Sequence, residues 1–217
     1  MKTTVNNPNE DIQAIREIME RSSKFLSLSG LSGIFAGICA LIGAAIAWFF
    51  ILDPGQVKYD EHLRSLDTAT IPGIRFYMAL DAALVLVIAA LGAVYFSARK
   101  AKKAGQQFWN NSTRRLFVHL LIPLLAGGVF VLILTFRGNL ELIAPAMLIF
   151  YGLALVNAGK FTFGEIHYLG LTEIVLGILA GILTDYGILL WTIGFGFMHI
   201  VYGTVMYYRY ESTGHRT

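Results

Sequence analysis

Six long apolar stretches, separated by short polar joints, constrain this chain more than any other feature of its sequence. A helix needs about 20 mostly apolar residues to cross the hydrocarbon core of a bilayer, and each stretch is close to that length. Because the six stretches consume most of the 217 residues, no separate extramembrane domain fits beside them. The sequence therefore predicts an all-α, polytopic integral membrane protein with six transmembrane helices. The stretches cover roughly residues 26–51, 74–97, 116–136, 140–158, 164–184 and 187–208.

Composition agrees with this class of protein. The chain is 56% hydrophobic and only 14% charged, and its mean hydropathy is +0.62, whereas soluble domains carry about 25% charged residues. Its one cysteine, Cys39, lies inside the first apolar stretch. We expect Cys39 to be a small buried apolar side chain and not a disulfide partner.

A polar segment precedes the first apolar stretch. Asn9 is a suitable helix N-cap, and Ile12, Ile15 and Met19 then recur at helical spacing. Residues 1–25 are therefore predicted to contain an amphipathic helix that lies on the cytoplasmic membrane surface. A plain helical extension of the first transmembrane helix is the alternative.

Basic residues are distributed unequally between the two ends of the predicted helices. With the N-terminus inside, the outer side holds only Lys58, Arg64, Arg75 and Arg137, and the inner side holds the other thirteen of the seventeen Lys and Arg residues. Because Lys and Arg concentrate on the cytoplasmic side of membrane proteins, both termini are predicted to be cytoplasmic. The predicted domains are a cytoplasmic segment at 1–25, a transmembrane domain at 26–208 and a cytoplasmic tail at 209–217.

The joint at residues 98–115 is the most basic part of the chain. A basic cluster beside a bilayer attracts anionic lipid headgroups. The alternative is that the cluster only sets the orientation of the chain in the membrane. We expect the lipid bilayer as the partner and no nucleic acid, because the run is short and adjoins the membrane. A homo-oligomer is left open. The six cations are Arg99, Lys100, Lys102, Lys103, Arg114 and Arg115.

Small residues line one face of the fifth and the sixth stretch, and each face contains one ionisable side chain. The short turn at residues 184–187 makes the two helices antiparallel neighbours. At a rise of about 1.5 Å per residue, Glu173 and His199 then lie at similar depths on either side of that turn. We predict that these two side chains come close together near the bilayer midplane. The faces are Gly170, Glu173, Gly177 and Gly181 in one helix, and Thr192, Gly196, His199 and Gly203 in the other.

Pairing of these two side chains is favoured because an isolated charge at that depth costs several kcal/mol. Histidine also changes its protonation near neutral pH. The leading hypothesis is therefore transport or sensing of a small solute or protons at a polar site formed by Glu173, His199 and Asp81. A hydrogen-bonded clasp that fixes helix register is the purely structural alternative. We expect Glu165 and His167, at the inner mouth of the fifth stretch, to be solvated.

The histidines of the apolar stretches allow a second hypothesis. His119, His167 and His199, with Glu173 or Asp81, are candidate zinc ligands, and His119 with His199 is a candidate haem pair. Such a chain would be a membrane-embedded metal- or haem-binding protein or enzyme. The sequence contains no HxxxH or HExxH motif and no catalytic motif. An enzyme is therefore the weaker expectation, and the sequence does not indicate which cofactor would bind. A third hypothesis is a membrane scaffold or signalling partner.

Two segments carry a resemblance to a known group of proteins. They are Arg21-Ser22-Ser23-Lys24-Phe25-Leu26-Ser27-Leu28-Ser29-Gly30-Leu31-Ser32-Gly33 and the segment 194–208. The chain resembles a family of small bacterial six-span inner-membrane proteins without a known activity. The resemblance implies an inner-membrane location, and it supplies no functional residues.

Overall fold

The structure is a computed structural model that describes residues 25–52 and 71–212. Regular structure in these two ranges is helical throughout, without a strand, as the sequence predicts. The amphipathic helix predicted before residue 25 lies outside the described residues.

Six helices of the described ranges are long and apolar enough to cross a membrane. Short joints connect α3 to α4, α4 to α5 and α5 to α6, so these successive helices are antiparallel neighbours. The sequence predicts this arrangement for α5 and α6. The helices are α1 (Gly30–Ile51), α2 (Ile71–Lys103), α3 (Asn111–Arg137), α4 (Leu140–Gly159), α5 (Gly164–Ile182) and α6 (Thr184–Tyr210).

The ends of α3 show how local sequence sets a helix boundary. The Asn110 side chain accepts a hydrogen bond from the backbone N–H of Thr113 at 2.9 Å and so caps the first turn. At the other end, Gly138 adopts a left-handed conformation with φ of 81°, which glycine enters without a Cβ penalty. The chain therefore reverses into α4 within a few residues.

The first helix begins later than the sequence predicts. Residues 25–29 are not helical, and α1 starts at Gly30. Phe25 donates its backbone N–H to the carbonyl of Phe161 at 2.7 Å and accepts from the hydroxyl of Thr162 at 2.8 Å. This segment is therefore bound to the α4–α5 joint, which excludes an uninterrupted helical extension of α1 toward the N-terminus.

Close backbone contact through glycine holds α4 against α5. A Cβ atom at Gly152 would lie 2.6 Å from the carbonyl oxygen of Gly170, and one at Gly170 would lie 2.7 Å from that of Gly152. Small residues permit such an approach, and the resulting van der Waals packing replaces the hydrophobic effect as the force between helices in lipid. The backbones of α4 and α5 are therefore in direct contact at this crossing.

A second glycine interface joins α1 to α6. A Cβ at Gly37 would lie 2.6 Å from the carbonyl oxygen of Gly196, and one at Gly203 would lie 2.6 Å from the backbone nitrogen of Ile34. On another face of α1, the ring of Phe35 fills the space beside Gly92 of α2. The helices thus pack in the order α2, α1, α6, then the α4–α5 pair, with α3 against α4.

Candidate functional site

Glu173 and His199 meet where α5 packs against α6. Oε1 of Glu173 lies 3.4 Å from Nδ1 of His199, the Glu173 side chain is 0% exposed, and His199 is 5% exposed. The predicted proximity of the two residues is confirmed. Both lie near the middle of their helices. They lie at similar depths because they are at matching distances from the short connection between α5 and α6.

His199 uses both of its ring nitrogens in hydrogen bonds. Nδ1 lies 3.0 Å from the carbonyl oxygen of Gly194, and Nε2 lies 2.7 Å from the hydroxyl of Tyr151 on α4. Since a carbonyl oxygen only accepts, Nδ1 carries a proton. In the neutral ring, Nε2 therefore accepts a hydrogen bond from the Tyr151 hydroxyl.

The Glu173 carboxyl group is packed tightly and left without hydrogen bonds. Neither oxygen has a hydrogen-bond partner among the described residues. A Cβ atom at Gly194 would collide with Oε2 of Glu173 and would lie 2.7 Å from Cδ2 of Leu148, itself 0% exposed. The carboxyl group thus occupies a space that exists because Gly194 has no side chain. An unsatisfied buried polar group costs about 1–3 kcal/mol, and more when it is charged.

The backbone of α6 is wound more loosely at the site. Residues Thr192–Met198 form a π-helical segment that contains Gly194 and directly precedes His199. Single π-helical turns inside α-helices are frequent at functional sites. Here the wider turn brings the Gly194 carbonyl to the His199 ring, so the π-helical segment is part of the geometry of the site.

Aromatic rings extend the site along α6. The Phe195 ring is stacked on that of His199 with centroids 5.9 Å apart, and it also packs on Tyr151 at 4.8 Å and on Trp191 at 5.0 Å. Nε1 of Trp191 is buried and has no hydrogen-bond partner among the described residues. These rings hold the imidazole plane of His199 in one orientation.

The structure does not bring Asp81 to this site. A Cβ at Gly43 of α1 would lie 3.3 Å from Oδ2 of Asp81, so the carboxylate faces α1. The glycines of α1 that contact α6, such as Gly37, lie on a different face of that helix. Asp81 therefore lies against a face of α1 other than the one that packs on α6, and no contact joins it to Glu173 or His199 among the described residues. The spacing of residues within α2 does not reveal that Asp81 faces α1.

The three candidate histidine ligands also lie apart. His119 is exposed and stacks on Phe161 with centroids 4.6 Å apart, and His167 packs against the backbone at Gly159. No three His, Cys, Asp or Glu side chains in the described ranges are grouped so that they could hold a metal ion. Both nitrogens of His199 are already hydrogen-bonded, so the arrangement does not support the zinc site or the haem pair.

Glu165 differs from its predicted solvated state. It is 8% exposed, and Oε1 accepts hydrogen bonds from Nη1 of Arg209 and from the Tyr210 hydroxyl, each at 2.9 Å. The C-terminal end of α6 folds these two donors over the first turn of α5. His167, the other residue expected to be solvated, is half-buried.

Sequence reasoning missed Tyr151 and Gly194. Tyrosine in membrane proteins concentrates at the ends of helices, in the interfacial aromatic belts. Tyr151 lies instead near the middle of α4, and a hydroxyl at that position requires a partner. This was a usable signal. Gly194 had no comparable signal, because its role depends on which side chain of α5 lies against it.

Comparisons with known proteins found no match: no protein-family model, no curated protein and no solved structure matches this chain. The resemblance carried by residues 21–33 and 194–208 therefore stays an expectation.

Proposed function

We propose that this chain is a multi-pass protein of the bacterial inner membrane that binds and releases a proton at Glu173 and His199, and uses it in transport or sensing of a small solute. The membrane location is supported by the six apolar helices. Cytoplasmic termini are supported by the basic residues of the described ranges: the end that holds the α2–α3 joint and the last turn of α6 carries most of them, and the opposite end carries Arg75 and Arg137.

The observation that carries the proton proposal is the buried Glu173 carboxyl group without a hydrogen bond, 3.4 Å from a histidine nitrogen. With Glu173 ionised and His199 neutral, the site holds an uncompensated buried charge. One added proton removes that cost, either on the carboxylate or on the imidazole, where it creates an ion pair. The site is therefore built to take up one proton.

The hydrogen bond between Tyr151 and His199 accommodates both protonation states of the imidazole. In the neutral ring the tyrosine hydroxyl donates to Nε2, and in the imidazolium Nε2 donates to the hydroxyl oxygen. The same 2.7 Å separation serves both directions. A proton can thus be added to the ring without moving α4 relative to α6.

Tight packing favours a proton over any larger ligand at Glu173. The carboxyl group lies against the Gly194 backbone and the Leu148 side chain, and the Glu173 side chain is 0% exposed. A hydrated cation or an organic solute has no room there in this conformation. The solute would bind elsewhere and be coupled to the proton site through α6, whose π-helical segment Thr192–Met198 can change its winding locally.

Proton flux into liposomes tests this function. Purified protein would be reconstituted in vesicles that contain a pH-sensitive dye, and an imposed pH gradient would drive uptake. Glu173→Gln and His199→Ala should abolish the protein-dependent flux, and His199→Gln serves as a second variant if the alanine variant fails to fold. His167→Ala is the matched control, because His167 is a half-buried histidine outside the site.

Two results would contradict the proposal. Flux that is unchanged in Glu173→Gln and His199→Gln would remove the site from the transport path. Loss of folded protein in both variants, with no protein-dependent flux in the unaltered chain, would instead assign the pair to a structural clasp between α5 and α6.

A further inference from the structure

A patch of exposed cations covers one end of the bundle. Five of the six basic side chains of the α2–α3 region are exposed, and they lie in the last two turns of α2 and the first two turns of α3. The chain between residues 98 and 115 contains no Asp or Glu. We call these five residues the basic patch: Arg99, Lys102, Lys103, Arg114 and Arg115.

Lys100, the sixth cation of this region, has a different role. Its Nζ donates to the carbonyl oxygen of Leu28 at 2.7 Å, lies 3.3 Å from Oε1 of Glu211, and sits over the Phe163 ring at 5.2 Å from its centroid. Lys100 therefore binds the ends of α1, α2 and α6 together. It is not available to an external ligand, so the predicted set of six cations reduces to five.

Two acids at the same end of the bundle as the basic patch, Glu211 and Glu165, already have cationic partners. Glu211 accepts from Lys100 and from the backbone N–H of Gly30 at 2.6 Å, and Glu165 is bound by Arg209. The positive charge of the basic patch is thus not balanced by acids of the described ranges. A concentrated field of one sign attracts a ligand of the opposite sign.

An exposed tryptophan adjoins the basic patch. Trp109 lies in the joint between α2 and α3, is 64% exposed, and packs on one side against Phe117 of α3 with centroids 5.8 Å apart. Tryptophan favours the headgroup level of a bilayer, where its ring is in an apolar environment and its N–H is hydrated. Cations and an indole at one level fit a lipid headgroup better than a free anion in solution.

We propose that the basic patch binds anionic phospholipid headgroups, with Trp109 beside them at the membrane interface. The recognised chemistry is a phosphate diester next to acyl chains. Each cation near an anionic surface contributes about a fivefold gain in affinity. The proposal depends on the membrane location of the chain and not on the proton site, so the two can fail independently.

Quenching of Trp109 by brominated lipids tests the proposal. Trp48→Phe and Trp191→Phe leave Trp109 as the only tryptophan of the chain, which has three. The full chain would be reconstituted in mixtures of brominated phosphatidylglycerol or brominated phosphatidylcholine with unbrominated lipid. We expect phosphatidylglycerol to bind beside Trp109 at least about fivefold more strongly than phosphatidylcholine.

Neutralising variants decide the outcome. Changing the five residues of the basic patch to Gln should bring the ratio of phosphatidylglycerol to phosphatidylcholine binding close to one. Arg75→Gln with Arg137→Gln, at the opposite end of the bundle, should leave the ratio unchanged. Three results would overturn the proposal. The first is a ratio near one in the unaltered chain, and the second is a preference for phosphatidylglycerol that persists without the five cations. The third is displacement of the lipid by inorganic phosphate or a short RNA at matched ionic strength.

Discussion

The hydroxyl of Tyr151 lies 2.7 Å from Nε2 of His199, and this contact joins α4 to α6 beside the buried Glu173 carboxyl group. Three helices thus contribute one polar side chain each to a cluster enclosed by apolar packing. The Gly194 carbonyl fixes the proton on Nδ1, and the Tyr151 hydroxyl occupies the other nitrogen. The imidazole of His199 is therefore held by hydrogen bonds at both of its nitrogens.

Tyr151→Phe should impair the site and leave the fold intact. The variant keeps the ring that packs on Phe195 with centroids 4.8 Å apart, and it loses only the hydroxyl. A buried nitrogen left without its hydrogen bond costs about 1–3 kcal/mol. We expect proton flux in liposomes to fall about tenfold or more, because Nε2 of His199 then has no partner for either protonation state.

Tyr202→Phe is the control for that variant. The Tyr202 hydroxyl is 3.4 Å from Oγ1 of Thr172, a long contact between α6 and α5 outside the cluster. Its removal should leave the flux unchanged. Equal flux in Tyr151→Phe and Tyr202→Phe would remove the Tyr151–His199 contact from the mechanism.

Gly194→Ala should destabilise the protein through Glu173. The added Cβ would collide with Oε2 of Glu173 and meet Leu148 at 2.7 Å, and such overpacking costs about 1–3 kcal/mol. Gly128→Ala on α3 is the matched control, since a Cβ there has open space within 4 Å. The measurement is the free energy of unfolding in mixed detergent micelles.

A double-mutant cycle tests whether that cost arises from Glu173 itself. In a Glu173→Ala background, Gly194→Ala should cost less by about 1 kcal/mol or more, because the colliding carboxyl group is gone. An equal cost in both backgrounds would mean that the alanine acts through Leu148 or the π-helical segment and not through the contact with Glu173.

The α1–α6 interface should respond to a single methyl group. A Cβ at Gly37 would meet the backbone oxygen of Gly196 at 2.6 Å and the backbone nitrogen of Ile200 at 3.0 Å. Because backbone atoms cannot rotate away, Gly37→Ala should separate the helices and cost about 1–3 kcal/mol. Gly73→Ala in α2, where a Cβ meets nothing within 4 Å, should be close to neutral in the same unfolding measurement.

Two ion pairs at the same end of the bundle should differ in strength. Lys100 and Glu211 have side chains that are 20% and 14% exposed, and Glu211 also accepts from Ser29 and Gly30. Arg209, which pairs with Glu165, is 67% exposed. Solvent screening limits the coupling energy of an exposed pair to about 1 kcal/mol or less.

We therefore expect the coupling energy from a double-mutant cycle to be larger for Lys100–Glu211 than for Arg209–Glu165. Hydrogen bonds to charged groups of low exposure contribute about 1.5–3 kcal/mol. Raised salt should weaken the Arg209–Glu165 coupling more. A larger coupling for the Arg209 pair would contradict the assignment of Lys100 and Glu211 as the connection between the ends of α1, α2 and α6.

The number and positions of the helices could be predicted from the sequence because hydrophobic length is a local property. Boundaries were less accurate. The structure continues α2 to Lys103 and starts α3 at Asn111, beyond the apolar stretches predicted at 74–97 and 116–136. Basic residues with long aliphatic stems extend a helix into the interface, so apolar content alone underestimates helix length.

The candidate site was predictable only where chain connectivity is short. One turn separates α5 from α6, so helical rise alone placed Glu173 opposite His199. The neighbours of Tyr151 and Asp81 could not be predicted in this way, because they depend on which helices pack against α6 and α1. That choice is set by glycine contacts such as Gly152 with Gly170 and Gly37 with Gly196, whose pairing a single sequence does not reveal.

The most direct test of the central claim is infrared difference spectroscopy of the full chain in lipid, recorded while the pH is changed through the neutral range. We expect a carboxyl signal that changes reversibly with pH, is absent in Glu173→Gln and persists in Asp81→Asn. It is a protonated-carboxyl stretching band that shifts in heavy water if Glu173 takes the proton, and a shifted carboxylate band if His199 does. A spectrum in which Glu173→Gln and the unaltered chain show the same titrating carboxyl bands would contradict reversible proton binding at Glu173.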